Sequence, residues 1–180
     1  MVKRVLVLLA QGCEELEAVT VIDLLRRAGI EVVTAGLDEK PVVASRRTKI
    51  VPDTSLDKIT RNDFDMVVLP GGMPGAQNLA DDSRVIDLVK RMAAAGKFTC
   101  AICAAPMVLA KAGVLAGKRA TCYPGVLEGL GVKPTGEAVC RDGNVITSRG
   151  PGTALDFALA LIEAMEGKAA RDKVEQSLVR

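Results

Sequence analysis

The chain has 180 residues, of which 49% are hydrophobic and 26% charged, enough apolar material for a sizeable core and too much for a disordered segment. Its 24 basic and 22 acidic residues leave a net charge of +2 with no basic block, which argues against electrostatically driven nucleic-acid binding as its main task. No apolar run approaches the ~20 residues that span a bilayer.

In chain order, Lys3–Ala10 predicts a strand apolar on both faces, as in a parallel sheet covered by helices. The charged start and apolar run resemble a miniature signal peptide, but Gln11-Gly12-Cys13-Glu14-Glu15 follows without a small-residue cleavage site, so a cytoplasmic chain is expected. Glu14 to Arg27 predicts a helix with acids in its first turn, Arg26-Arg27 in its last and Gly29 after it. Ile30–Ala35 predicts a second strand, completing a βαβ unit. Residues 38–53 break the rhythm and suggest a small hairpin with Arg46-Arg47 at its tip, either a solvated turn or an anion or subunit contact.

Thr54–Asp57 suggests a capped helical turn, and Asp65–Pro70 a buried strand running into Gly71-Gly72-Met-Pro-Gly75. Helices are predicted over Ala76–Ala80 and Ser83–Ala95. Then comes the stretch around which the chain is organised, Phe98 to Ala112: a strand, a joint at Cys103 and a helix with Pro106 in its first turn. Arg119–Tyr123 predicts another strand, followed by a short helix to about Leu130. Asp142-Gly143 predicts a hairpin between Val139–Arg141 and Asn144–Thr147. Thr153–Glu166 and Ala169–Leu178 predict the last two helices. No linker or internal repeat interrupts this order, so the expectation is one α/β domain over 1–180, a flavodoxin-like three-layer sandwich with a mostly parallel sheet.

In such a sheet the site lies at the carboxyl ends of the strands, where Gly12 to Glu17, Gly71-Gly72, Cys103 and Tyr123 converge. Cys103 falls on a strand-to-helix turn. This exposes its side chain and supplies amides for a developing oxyanion, and the positive helix end favours a thiolate. The alternative is a free cysteine packed in a core. Glu17 shares the apolar face of its helix with Val21, Leu24 and Ala28, so desolvation should raise its proton affinity until it can donate to the sulfur. Glu14 competes for that role. The Gly72 and Ala104 amides are the expected oxyanion hole.

The chain contains no histidine, which excludes Cys–His and Ser–His–Asp mechanisms. Its cysteines are Cys13, Cys100, Cys103, Cys122 and Cys140, an odd number that argues against a disulfide framework. Cys100 and Cys103 have C-x-x-C spacing, but in an extended chain they face opposite sides, so a redox pair is disfavoured. No second pair completes a zinc site, and no metal is expected. The glycine loop fits neither a dinucleotide nor a Walker pattern, and with 2% aromatics flavin stacking is poorly served, so no cofactor is expected.

Taken together, Gly12-Cys-Glu-Glu-Leu-Glu17, Asp23–Ile30, Val68-Leu-Pro-Gly-Gly72, Gly75–Leu79, Ala101-Ile-Cys-Ala-Ala-Pro106 and Thr147–Thr153 resemble the ThiJ/PfpI superfamily nearly end to end. The resemblance is to the branch of the Parkinsonism-associated deglycase (DJ-one) and its bacterial homologues. It implies a flavodoxin-like homodimer in which Cys103 is the readily oxidised cysteine, Glu17 the acid that contacts it, and Gly72 and Ala104 the oxyanion donors. It also places Arg27 and Arg46 near the pocket and the dimer contact. The implied activities are a glutathione-independent glyoxalase that turns methylglyoxal into lactate, a protein or nucleotide deglycase, or an oxidative-stress sensor and redox-regulated chaperone. Nucleic acid enters only as a glycated substrate. Where many members carry a histidine near the cysteine, this chain has Tyr123, so a protease-like pair is impossible, Glu17 must act as acid and base, and Tyr123 at most orients substrate. The hairpin cysteines of some relatives are Ala44 and Val51 here.

Overall fold

The computed structural model describes residues 2–59 and 63–180. The central strands of its sheet are built from runs of Val, Leu, Ile and Met that bury both faces. Strands β1 (Arg4–Leu9), β2 (Glu31–Gly36), β5 (Thr54–Ser55), β6 (Met66–Leu69), β7 (Phe98–Ile102), β8 (Val139–Asp142) and β9 (Val145–Ser148) form one sheet in the order β5-β2-β1-β6-β7-β9-β8. All neighbours are parallel except β8 with β9, the hairpin turned at Gly143. A separate two-stranded hairpin joins β3 (Val42–Val43) and β4 (Lys49–Ile50).

Helices α1 (Glu15–Arg27), α5 (Ala154–Glu166) and α6 (Lys168–Ser177) pack together on one face. On the other lie α2 (Gly75–Asp81), α3 (Ser83–Ala94) and α4 (Pro106–Lys111). The result is the three-layer α/β sandwich expected. α5 is buried through Phe157, Leu159, Leu161 and Ile162 on more than one side, because it lies between the sheet and two helices.

One predicted strand is absent. Arg119–Tyr123 runs as irregular backbone, since its polar groups find scattered side-chain and loop partners rather than a ladder. The Thr121 amide donates to Thr147 Oγ1 at 2.9 Å, and the Thr121 hydroxyl donates to the Glu137 carbonyl at 2.8 Å. Smaller departures are a short 3₁₀ turn at Leu56–Lys58 after the two-residue β5, and another at Glu128–Leu130. None of the described helices is long and apolar enough to cross a membrane.

The register aligns the carboxyl ends of the central strands. Val7 pairs with Val68, Leu69 with Ala101 and Ile102 with Ser148. This brings the loops after β1, β6 and β7 to one edge, at the point where the chain order reverses around β1.

Candidate active site

Cys103 directly follows β7 and sits in the left-handed region, with φ +63. An L-residue held there costs about 1–2 kcal/mol, and such strain persists only where the surroundings impose it. Here they do. The Cys103 amide donates to the Ser148 carbonyl at 2.9 Å, and the Cys103 carbonyl accepts from the Tyr123 amide at 2.8 Å. The side chain is thereby swung out of the sheet plane toward the β6–α2 loop, and it is 7% exposed. The backbone amides of Gly72 and Ala104 face the sulfur and favour its anion.

The loop's glycines make this approach possible. A Cβ on Gly71 would lie 2.7 Å from Cys103 Cβ and 2.9 Å from Ala104 N. Gly72 has φ +84, and a Cβ there would lie 2.4 Å from Glu14 N. The loops after β1 and β6 are therefore packed backbone against backbone.

Glu17 is fully buried in the first turn of α1, on the same stripe as Ala18, Val21 and Leu24. Its Oε2 accepts from the Gly71 amide at 2.7 Å. Oε1 is buried without a well-aligned partner, and the side chain coupled to the carboxyl is the Cys103 thiol. Burial pushes the carboxyl up to about 7, against the Gly71 amide and the Cys103 thiol, which favour the anion; the charge of Glu14 adds to the rise. Glu14 itself caps the helix and touches neither the sulfur nor Gly71 N–H with its carboxyl; its backbone amide donates to the Gly71 carbonyl at 2.8 Å.

The thiol departs from expectation. A cysteine at a positive helix end should ionise readily. Instead burial, then the charge of Glu17 and its hydrogen bond, push the Cys103 thiol up to about 12, against the amides of Gly72 and Ala104. The helix field is also weaker than foreseen, because α4 starts only at Pro106 and spans six residues. Above neutrality, sulfur and carboxyl thus share one proton, which rests chiefly on the sulfur. With Glu17 ionised the thiol keeps its proton. Once the proton sits on Glu17, the repulsion vanishes and the carboxyl O–H can donate to the sulfur.

The remaining candidates are spread out. Tyr123 is half-exposed beside the elbow, its ring close to Gly150. Arg46 is exposed at the hairpin tip. Arg27 lies about 15 Å along α1 from Glu17 and is bonded to Asp23 Oδ2 at 2.7 Å, so it does not enter the pocket of its own chain. Cys100 is sealed within β7, and burial drives its thiol upward; all five cysteines are free. Among the described residues no three Cys, Asp or Glu side chains group to hold a metal ion. Sequence reasoning missed the separate task of Gly71, which anchors Glu17 while Gly72 faces the sulfur. Two successive glycines after a buried strand were the available signal.

Comparison with known proteins agrees with this architecture. Residues 3–164 match the model of the DJ-1/PfpI family. Protein dj-1beta of Drosophila melanogaster is 45% identical over 99% of this chain and 98% of its own, and its crystal structure superposes with a TM-score of 0.95. A Caenorhabditis elegans protein named glutathione-independent glyoxalase DJR-1.2 is 38% identical over 92% of this chain and 90% of its own. The structure of oxidized DJ-1 from Toxoplasma gondii superposes with a TM-score of 0.93 at 36% identity, covering 98% of each chain. The chain belongs to the DJ-1/PfpI family.

Proposed function

We propose that this protein is a cysteine-dependent, glutathione-independent glyoxalase and deglycase, with methylglyoxal and its glycated adducts as substrates and lactate as product. The observation that carries the reading is the pairing of a left-handed cysteine, faced by two amides, with a buried carboxyl that titrates near neutrality. The glyoxalase named among its relatives supports it.

The thiol proton passes to the Glu17 carboxylate as the sulfur adds to the aldehyde carbon. The oxygen that gains charge is held by the Gly72 and Ala104 N–H groups and takes the proton back from Glu17, giving a hemithioacetal. The Glu17 carboxylate then removes the hydrogen of that carbon as a proton, leaving an enediolate, and returns it to the neighbouring carbon. The product is a lactoyl thioester on Cys103. Water cleaves the C–S bond, lactate leaves and the thiol regains its proton. Methylglyoxal plus water becomes lactate, with no oxidant, metal or cofactor consumed. For glycated amines and nucleotides the C–S bond forms as the C–N bond of the aminocarbinol breaks, the amine leaves with the thiol proton relayed by Glu17, and the same hemithioacetal results. Tyr123, at the mouth of the site, orients the substrate.

Exposed Leu16 and Val19 on α1, with Arg27 on the same helix and Arg46 at the hairpin tip, support a homodimer through this side of the molecule.

The experiment is lactate formation from methylglyoxal in the absence of glutathione. Cys103→Ala and Glu17→Gln should each abolish it, and unchanged turnover in either removes the mechanism.

A second reading, redox sensing or redox-regulated chaperoning, is supported by the same geometry. Two equivalents of peroxide would convert the Cys103 thiol to a sulfinate with release of two waters. Protonated Glu17 and the two amides would then be donors to the new oxygens.

A further inference from the structure

The β3–β4 hairpin stands outside the main sheet, yet its tip is fastened to the loop and helix start that carry Glu17. The Gly12 amide donates to the Val43 carbonyl at 2.9 Å, and the Ser45 amide to the Cys13 carbonyl at 2.8 Å. The Ser45 hydroxyl lies between Glu14 Oε2 at 2.8 Å and Glu15 Oε2 at 3.0 Å. Glu15 Oε1 accepts from the Arg46 amide at 2.9 Å and from the Thr48 amide at 3.3 Å. The mechanism makes no use of Glu15. Two residues before Glu17 on a helix, it points to nearly the opposite side and cannot reach the sulfur.

We propose that Glu15 is a positioning residue for the Glu17–Cys103 pair: its carboxylate clamps the hairpin tip to the first turn of α1, and the clamp fixes and dries the turn from which Glu17 reaches inward. The inference rests on the reading of Cys103 and Glu17 as the reacting pair. A continuous path of bonds joins clamp to chemistry. From Glu15 the helix start leads to the Glu14 amide, which donates to the Gly71 carbonyl at 2.8 Å, and the Gly71 amide donates to Glu17 Oε2 at 2.7 Å. The clamp does not open with pH in the working range. Burial favours the neutral acid, but the amides of Glu15, Arg46 and Thr48 and the Ser45 hydroxyl outweigh it and hold Glu15 at about 2.

The titratable groups that face Glu17 are Glu14 on its own helix start, Cys13 in the loop before it and Cys103 on the elbow; the Gly71-Gly72 loop presents only amides. The hairpin adds the exposed charges of Arg46 and Arg47 at its tip. Loosening the clamp admits water to Glu17. Its carboxyl then loses its proton at lower pH, and a smaller share of the singly deprotonated pair carries its charge on sulfur.

The test is the rate of iodoacetamide alkylation at Cys103 against pH, followed by mass spectrometry of the Cys103 peptide in the full chain. Relative to the parent, Glu15→Ala should move the midpoint to lower pH by about half a unit or more and lower the plateau about fivefold. Glu15→Gln, which keeps an acceptor oxygen, should restore most of both. A folded Glu15→Ala variant with midpoint and plateau unchanged overturns the proposal, as does a Glu15→Gln variant as impaired as Glu15→Ala, which would assign the effect to charge at the helix start. Should Glu15→Ala fail to fold, Ser45→Ala removes one tie and must shift the midpoint in the same direction by less; an unmoved midpoint there overturns it equally. If the parent makes no lactate yet its alkylation profile moves as described, the glyoxalase reading fails and the clamp stands.

Discussion

Gly71 donates its N–H to Glu17 Oε2 at 2.7 Å, a bond between residues 54 apart in the chain. It orients one carboxyl oxygen and leaves the other for the sulfur. The same glycine accepts from Glu14 through its carbonyl, so the two peptide units flanking one residue tie the helix that bears the acid to the loop that bears the oxyanion donors. Acid, donor loop and nucleophile come from three strand ends, and that glycine holds them in register.

The first prediction concerns this contact. Gly71→Ala puts a Cβ 2.7 Å from Cys103 Cβ and 2.8 Å from the Ile102 carbonyl, neither of which can swing away. The elbow or the loop must shift, at a cost of about 1–3 kcal/mol. Urea unfolding should show that loss, and alkylation of Cys103 should slow about tenfold as the sulfur leaves its donors. Gly129→Ala is the control: nothing lies within 4 Å of its Cβ, and stability should hold. Equal behaviour of the two variants would show that the loop is not packed as described.

The second prediction follows from the proton on Glu17. Its carboxyl titrates at about 7 in the folded chain, against an ordinary value of 4.5. Between these values the folded state holds a proton that the unfolded state has released. Stability therefore falls as pH rises through this window, by roughly 3 kcal/mol in all. Glu15, held low, acts in the opposite sense, but below pH 4.5. Glu17→Gln removes the loss and keeps an acceptor for the Gly71 amide. The stability of the variant minus that of the parent should grow from pH 4.5 to 8 in denaturant melts. A flat difference would mean that the carboxyl is not buried neutral.

Much of this was legible in the sequence because it depends on local pattern. The all-apolar strands, the helical stripe that carries Glu17 and the strand-to-helix joint at Cys103 all follow from residue spacing. Arg119–Tyr123 misled because its β-branched and aromatic residues match strand propensity, while its partners, Thr147 and the Glu137 carbonyl, are side-chain and loop contacts that no periodicity encodes. The sign of the thiol shift was misread for a similar reason. A helix terminus is visible in sequence, whereas the depth of burial and the charge of a carboxylate arriving from a distant strand end are not. The clamp by Glu15 depends on a hairpin whose docking is set by backbone amides, which carry no sequence signal.

The third prediction isolates the backbone strain at the elbow. Cys103→Gly and Cys103→Ala both remove the sulfur, but only glycine relieves φ +63. The glycine variant should be about 1 kcal/mol more stable than the alanine variant, which reverses the order expected at an ordinary strand end. Thermal and urea unfolding of the pair measures this, and alanine equal to or above glycine would show that the turn relaxes when the sulfur is gone.

The last prediction separates the redox reading from general oxidation. Five thiols are present, and burial raises each of them. Among the described residues Cys122 has amides but no carboxyl bonded to it, and the Glu137 carboxyl beside Cys140 is held low, whereas Cys103 combines two amides with a buried carboxyl raised enough to receive its proton. Cys13 and Cys100 are fully enclosed, whereas Cys103 is 7% exposed at a strand end. Limited peroxide should therefore add two oxygen atoms at Cys103 and none elsewhere, as read by intact mass and peptide mapping. Glu17→Gln cannot take the thiol proton, so its first oxygen should add more slowly and with no rise in rate through pH 7. Oxygen spread evenly over the five cysteines, or a pH profile unaffected by Glu17→Gln, would mean that the carboxyl does not govern the sulfur, and the redox reading would fall.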